Sequence, residues 1–443
     1  MSQVPAKETV TVEEYNSYVL RYTWRNLFVN AGDGILYAMG QALAPAATVL
    51  PGFISDCVNR VPSLLPYKNT LTGLLALIMS VCFMMPQQIW AAKITEGRTR
   101  LKRLLIFVAA FERLPWLFMA VMTALVAPAN PLLALILFFA IIFSYHFILG
   151  IVSPVWQEAV AKVTPVNRRG LLFGIRESTG GFLGVAVLLA AGMVVPGLGF
   201  PVNYVFLFSG MFILITLSWL TLFFLKEAPY PIERRERPFS DHVKDVRDIL
   251  LHDRDFQRYF FCKALYSMSQ VAASSFFTMR AISVLGVDAA VALAVRMTMV
   301  VTIARGLSVL IGPLGDRYGH RLVLFLANLT GAAGIACALF ATTEAGFYAA
   351  FAFATVSMMA FWCGHSNYIL ELAPLEKRPS YISLDNMSGL PFVAAPLLGG
   401  FLADKSGYTL PFVLGIVFTL AGAVAFLTIA VDPRRKMRRD LVS

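Results

Sequence analysis

The chain is poor in charge, in cysteine and in long polar stretches, and each shortage removes a class of protein. Of its 443 residues only 14% are charged, against about 25% in an ordinary soluble domain. Meanwhile 58% are hydrophobic and the mean hydropathy is +0.69. That balance excludes a soluble globular protein and points to an all-α integral membrane protein. The five cysteines, Cys57, Cys82, Cys262, Cys337 and Cys363, lie mostly within or beside apolar runs, without C-x-x-C or metal spacing. Neither a disulfide framework nor a metal site is expected from them. No G-x-x-x-x-G-K-[ST] run is present, which leaves out nucleotide hydrolysis by this chain. No nucleophile and base stand at catalytic spacing, so neither an enzyme nor a cofactor is expected. The N-terminal stretch is polar, with Glu8, Glu13 and Glu14, and lacks the apolar core of a cleaved signal peptide. The first span is expected to serve as its own insertion signal.

What the chain has instead is apolar length. A membrane span needs roughly twenty apolar residues, and twelve such runs are present, near 24–54, 66–92, 103–126, 131–161, 174–195, 201–225, 258–285, 288–313, 321–342, 345–371, 380–403 and 408–430. An even count puts both termini on one side. The net charge of +11 sits in the loops after even-numbered runs and in the tail, as with Lys93, Arg100, Arg234, Arg317, Lys377 and Arg435. The stretches 127–131, 196–203 and 284–288 hold no Lys or Arg. By the positive-inside rule both termini and the basic loops are expected in the cytoplasm, against lipid headgroups, with no nucleic acid as partner. A plasma membrane is the expected location, a bacterial inner membrane in particular.

The segment 227–257 is charged and opened by Pro229, Pro231 and Pro238, and it divides the chain into two sets of six runs. The expected organisation is a bundle over 1–227, a cytoplasmic linker over 228–256 and a second bundle over 257–443. An internal repeat supports the division. TPVNRRGLLFGIRESTGG at 164–181 overlies APLEKRPSYISLDNMSGL at 373–390, so that Pro165, Arg169 and Gly180 match Pro374, Arg378 and Gly389 at a constant offset of 209. Duplicated halves of this kind are a transporter signature.

GPLGDRYGHR, from Gly312 to Arg321, sits where one apolar run meets a short basic loop and the next run. It resembles the loop signature of the major facilitator superfamily, G-x-L-x-D-R-x-G-x-R, with Gly312, Leu314, Asp316, Arg317, Gly319 and Arg321 in register. The corresponding loop of the first half, PQQIWAAKITEGRTR from Pro86 to Arg100, has Ala92 where the aspartate would fall and keeps only Lys93. The resemblance also takes in PLLGGFLADKSGY from Pro396 to Tyr408. It implies two pseudo-symmetric six-helix bundles, twelve spans in all, with spans 1, 4, 7 and 10 lining a central cavity. It further implies a gate at Gly312, Asp316, Arg317, Gly319 and Arg321, to which the repeat adds Arg169, Arg378 and Asp385. The missing first-half aspartate implies that the halves gate asymmetrically.

Ionisable groups inside spans are costly and are candidate functional groups by default. In span 1, Asn30, Asp33, Tyr37 and Gln41 fall within about 80° of one another at 100° per residue, one polar stripe on an apolar helix. An offset of 233 maps them onto Lys263, Tyr266, Gln270 and Ser274 of span 7. Asp33 and Lys263 thus stand on opposite halves, and either bind a charged or zwitterionic solute or form an interhalf ion pair. Span 4 presents His146, Gly150, Ser153 and Gln157 on one face, and span 10 presents Met358, Phe361, His365 and Tyr368. Each histidine is either a titrating group or a bond to a neighbouring helix. Glu112 with Arg113, and Arg176 with Glu177, are adjacent in sequence and so expected to seek partners on other helices. Arg176 and Glu177 are expected to snorkel or latch a loop at the span's end. Arg296 and Arg305 lie about 180° apart around one helix, with Arg296 the candidate for an anionic group in the cavity. Asp33, Glu112 and Glu158, in that order, are candidate proton carriers.

The expected function is secondary active transport of a small polar or charged organic solute by alternating access, driven by a proton or other ion gradient. Efflux of amphipathic compounds, or a receptor or assembly factor on the same scaffold, remain as alternatives.

Overall fold

Thr11 is the first residue described in the computed structural model, which describes residues 11–89, 98–229, 247–286, 290–307, 311–374 and 378–432. Its hydroxyl accepts from Glu14 N at 3.2 Å while Glu14 Oε2 accepts from Thr11 N at 2.9 Å, a reciprocal cap that starts α1 (Val12–Leu43). With 32 residues, α1 is about 48 Å long and outruns a hydrocarbon core of about 30 Å. It breaks at Ala44 and Pro45, which offers no amide hydrogen, and the chain resumes as α2 (Val49–Val58), buried along its whole length. The first half continues with α3 (Lys68–Ile89), α4 (Lys102–Leu125), α5 (Pro131–Val163), α6 (Val166–Val194) and α7 (Val202–Thr221). The second runs α8 (Arg254–Met268), α9 (Ser275–Leu285), α10 (Ala290–Leu307), α11 (Ile311–Tyr318), α12 (His320–Phe340), α13 (Glu344–Leu372), α14 (Arg378–Met387), α15 (Ala395–Ser406) and α16 (Thr409–Thr428). No strand occurs among the described residues.

Nine helical stretches among the described residues are long and apolar enough to cross a membrane, where the sequence suggested twelve. The three expected runs that fall short, 24–54, 258–285 and 288–313, do so for visible reasons. The first carries Arg25, Asn30 and Asp33 and breaks at Pro45. The seventh is cut by a 3-10 turn at Ser269–Ala272 into pieces of 15 and 11 residues. The eighth is a helix of 18 residues carrying Arg296 and Arg305. The helix of the fifth run, α6, begins earlier than the run itself, at Val166.

Packing follows the chain's two sets. α1 lies against α6 and α7, α5 against α3 and α4, α12 against α13 and α16, and α10 against α13. The sets meet along α3–α15 and α6–α10, with α2 reaching across to α9 and α10. A Cβ on Gly73 would collide with the Pro396 carbonyl, and one on Gly400 with that of Asn69, so α3 and α15 run backbone against backbone. At the end of this seam Asp404 Oδ1 accepts from Asn69 N at 3.0 Å and Oδ2 from Thr70 N at 2.7 Å. A carboxylate of one half thereby caps a helix of the other. Thr48 Oγ1 and Thr298 Oγ1 stand 2.5 Å apart and Thr278 donates to the Ala47 carbonyl at 2.7 Å, joining the halves at the same end. Away from the seams, α4 turns Phe107, Phe111, Phe118 and Leu125 outward, an apolar surface suited to lipid.

Candidate functional site

Three buried polar centres sit on the helices of the polar stripes. In the first, α1 presents Asp33, 4% exposed, to α6 and α7. Arg176 Nη1 bonds Asp33 Oδ2 at 3.2 Å and the Asn30 carbonyl at 2.7 Å, and the Ser218 hydroxyl donates to Asp33 Oδ1 at 2.6 Å. The guanidinium lies 4.6 Å from the Trp156 ring centroid, a cation–π contact. Arg176 can cross α1 only because residue 34 is glycine; a Cβ there would fall on the guanidinium. The expectation that Arg176 snorkels is therefore corrected: a carboxylate and a carbonyl inside the bundle draw it inward. The Glu177 side chain lies outside the described residues.

The second centre joins α1, α4 and α5. Tyr37 OH donates to Glu112 Oε1 at 2.8 Å and stands 3.0 Å from Tyr145 OH, to which Gln41 Nε2 donates at 2.7 Å. Arg113 bonds Glu112 Oε2 at 2.5 Å, the Ala109 carbonyl at 2.8 Å and the Ile215 carbonyl at 3.1 Å. Each thus has the expected partner on another helix, Glu112 on α1 and Arg113 on α7, and the two also pair with each other because the long arginine folds back along its own helix. Tyr37 and Gln41 face Glu112 and Tyr145 within their own half. Tyr145 escaped the sequence reading because a tyrosine amid Phe and Ile reads as packing.

The third centre is in the second half. Asp385 of α14, 2% exposed, accepts from Lys263 Nζ at 2.6 Å and Tyr259 OH at 2.7 Å through Oδ1, and from His365 Nδ1 at 2.9 Å through Oδ2. Lys263 Nζ also bonds the Asp385 carbonyl at 2.8 Å. Tyr259 stacks on Tyr368 at 4.9 Å and Tyr266 on Phe361 at 3.5 Å. The interhalf Asp33–Lys263 pair considered above does not form, since each charge has a nearer partner in its own half. Tyr259 was also missed, although it stands one helical turn before Lys263.

The remaining candidates scatter. His146 bonds the Ile142 carbonyl of its own helix at 3.0 Å rather than a neighbouring helix. A Cβ on Gly150 would press on the Phe83 carbonyl, so that face of α5 packs on α3, while Gln157 and Gln270 are exposed. Arg296 pairs with Glu344 at 2.9 Å, the two side chains 42% and 40% exposed, so it stands with a carboxylate at a helix end instead of awaiting an anion in a cavity. Glu158 is half-buried one turn before Lys162, and Lys162 bonds Glu227 at 2.8 Å. In the gate motif, Gly319 has φ +94° and separates α11 from α12, a conformation that favours glycine. Arg317 is exposed, and Arg321 donates to the carbonyls of Phe426 and Leu427. The side chains of Asp316, Arg169, Arg305 and Arg378, and Gly312, lie outside the described residues. A groove of about 420 Å³ lined by Thr70, Ala394, Leu397, Leu398 and Phe401 is apolar and contains none of the three centres.

Residues 297–441 match the family model described as the Major Facilitator Superfamily. Among solved structures, the nucleoside transporter NupG is similar at 11% identity and TM-score 0.66, over 91% of this chain and 99% of its own. The D-xylose-proton symporter is similar at 15% identity and TM-score 0.66, over 92% and 98%. The inward open xylose transporter XylE from E. coli is similar at 14% identity and TM-score 0.63, over 92% and 96%. At such identities the likeness is one of fold. No curated protein matches the sequence significantly.

Proposed function

We propose that the chain is a protein of the major facilitator superfamily and a secondary transporter of a small polar or charged organic solute, coupled to protons. The observation that carries the reading is charge inside the bundles: Asp33–Arg176 and Lys263–Asp385 are buried ion pairs on the helices that carry the polar stripes. Buried charge in a membrane interior is costly and is kept where an ion or solute must pass. The bundles over 1–227 and 257–443, joined by the linker 228–256, would rock about a site between them. Asn30, Asp33, Lys263, Tyr266, Gln270 and His365 are its proposed lining. The seam joined at Thr48–Thr298 and Asn69–Asp404 supports a state closed at that end, as would suit a chain similar to the inward open xylose transporter. With the basic loops at the other end, both termini are proposed to be cytoplasmic.

Proteoliposome flux of uridine, D-xylose and a zwitterionic amino acid under a pH gradient tests the reading. Gradient-driven uptake of one of them, lost in Asp33→Asn and Lys263→Ala variants that still unfold cooperatively, supports it. Absence of flux for every probe leaves a non-transporting scaffold instead. Exposed Trp24, Phe28, Phe261 and Trp362 on α1, α8 and α13 favour efflux of amphipathic compounds as the second reading. Flux of tetraphenylphosphonium with none of the polar probes would select it.

A further inference from the structure

The first and third centres occupy equivalent places in the repeat. The offset of 209 carries Arg176 onto Asp385 and also Trp156 onto His365, while the offset of 233 carries Asn30 onto Lys263. In the first half, Arg176 bonds the Asn30 carbonyl and lies over Trp156. In the second, Asp385 bonds Lys263 and His365. The same three places are used twice with the central charge reversed. Their capacity for protons differs as well. A guanidinium keeps its charge at any working pH and an indole only donates, whereas an imidazole has a basic nitrogen and changes charge near neutrality.

We propose that His365 is where the protein takes up and releases a proton, with Asp385 and Lys263 as the fixed charges that respond to it, while Arg176, at the place equivalent to Asp385, keeps its charge. An ionised carboxylate only accepts, so the His365 nitrogen facing Asp385, Nδ1, carries a hydrogen. A hydronium ion gives its proton to the lone pair of Nε2, so that one N–H bond forms, one O–H bond breaks and a water molecule is left. The combined charge of Asp385, Lys263 and His365 goes from zero to +1. Asp385 then divides its attraction between an imidazolium and an ammonium, and the Lys263 bond that ties α8 to α14 weakens. Among the described residues, the ionisable groups around His365 are Asp385 on α14, Lys263, Tyr259 and Tyr266 on α8, and Tyr368 on its own helix. Arg321 of α12 lies beyond Tyr368. His365 is 7% exposed, and Trp362, whose ring centroid is 5.4 Å away, is 60% exposed.

The use of this proton to move a solute rests on the transport reading; the proton site does not, and its test needs no solute. An imidazolium quenches a neighbouring indole, so tryptophan emission of the full chain in lipid nanodiscs is followed from about pH 9 to about pH 5. The expected result is a reversible fall in emission that disappears in His365→Gln and in Trp362→Phe but persists in His146→Gln. A fall unchanged in His365→Gln overturns the proposal. Should that variant not fold, 15N-histidine NMR of the unaltered chain decides. One imidazole with a carboxylate-bonded Nδ1–H and a titrating Nε2 is expected, and a spectrum lacking such a ring overturns the proposal. Flux without this titration sinks the proton site and leaves transport standing; the titration without flux does the reverse. Where flux exists, His365→Gln should lose accumulation driven by a pH gradient.

Discussion

Removing Arg176 alone strands the Asp33 carboxylate inside the bundle with the Ser218 hydroxyl beside it. A buried ion deprived of its partner costs about 3–5 kcal/mol, whereas replacing both members by apolar residues of similar volume is often neutral. Arg176→Met is therefore expected to cost about that much, and Asp33→Leu with Arg176→Met to restore most of it, as read by denaturant unfolding in detergent. Additive losses in the double variant would show that the two charges do not act as a pair. Gly34→Ala probes the same contact from the other side. Its methyl falls on the guanidinium, an overpacking expected to cost about 1–3 kcal/mol, and the loss should shrink when Arg176 is already methionine. The partner of Asp33 was hidden in the sequence for a simple reason. Periodicity says which face of α1 is polar, but which helix meets that face depends on crossing geometry. An arginine turned into the bundle also has the same letter as a snorkelling one. Asp385 was marked as a gate residue by its place in the repeat, with no clue that three donors converge on it.

At the scale of the helix, the Asp404 carboxylate serves α3 from across the seam. It takes Asn69 Nδ2 at 2.9 Å and Thr70 Oγ1 at 2.6 Å besides the two amides. A lost side-chain cap costs about 0.5–2 kcal/mol. Asp404→Ala should therefore weaken the closed arrangement by a few-fold to about thirtyfold, seen as faster labelling of a single cysteine placed at Thr70 in a background lacking the native cysteines. Unchanged labelling would mean that Asp404 does not hold the seam. Helices were the most legible part of the fold where they are apolar throughout, as in α5 and α16. They were least legible where a span carries its own interruption, as at Pro45 and Ser269–Ala272, because hydropathy continues across a break that backbone geometry imposes.

For the molecule as a whole, Thr48 and Thr298 offer a clamp. Their hydroxyls are 2.5 Å apart across the halves, close enough for cysteines there to bridge with little backbone movement. In a background lacking the native cysteines, Thr48→Cys with Thr298→Cys should cross-link under mild oxidation, stop any flux found with the unaltered chain, and recover on reduction. Flux that survives complete cross-linking would mean the halves do not part at that end. The duplicated architecture was readable because 209 residues separate Pro165 from Pro374 and Arg169 from Arg378 with the surrounding pattern intact. The inversion of charge between the copies was not, since it emerges only when Trp156 and His365 are seen beside Arg176 and Asp385.

The borrowed cap on α3 has one more outcome. The amides of Asn69 and Thr70 are satisfied by the opposite half, so parting the bundles exposes two backbone donors that solvent alone can then supply. Hydration of that helix tip becomes part of the conformational equilibrium itself, and osmolytes that withdraw water should favour the sealed form.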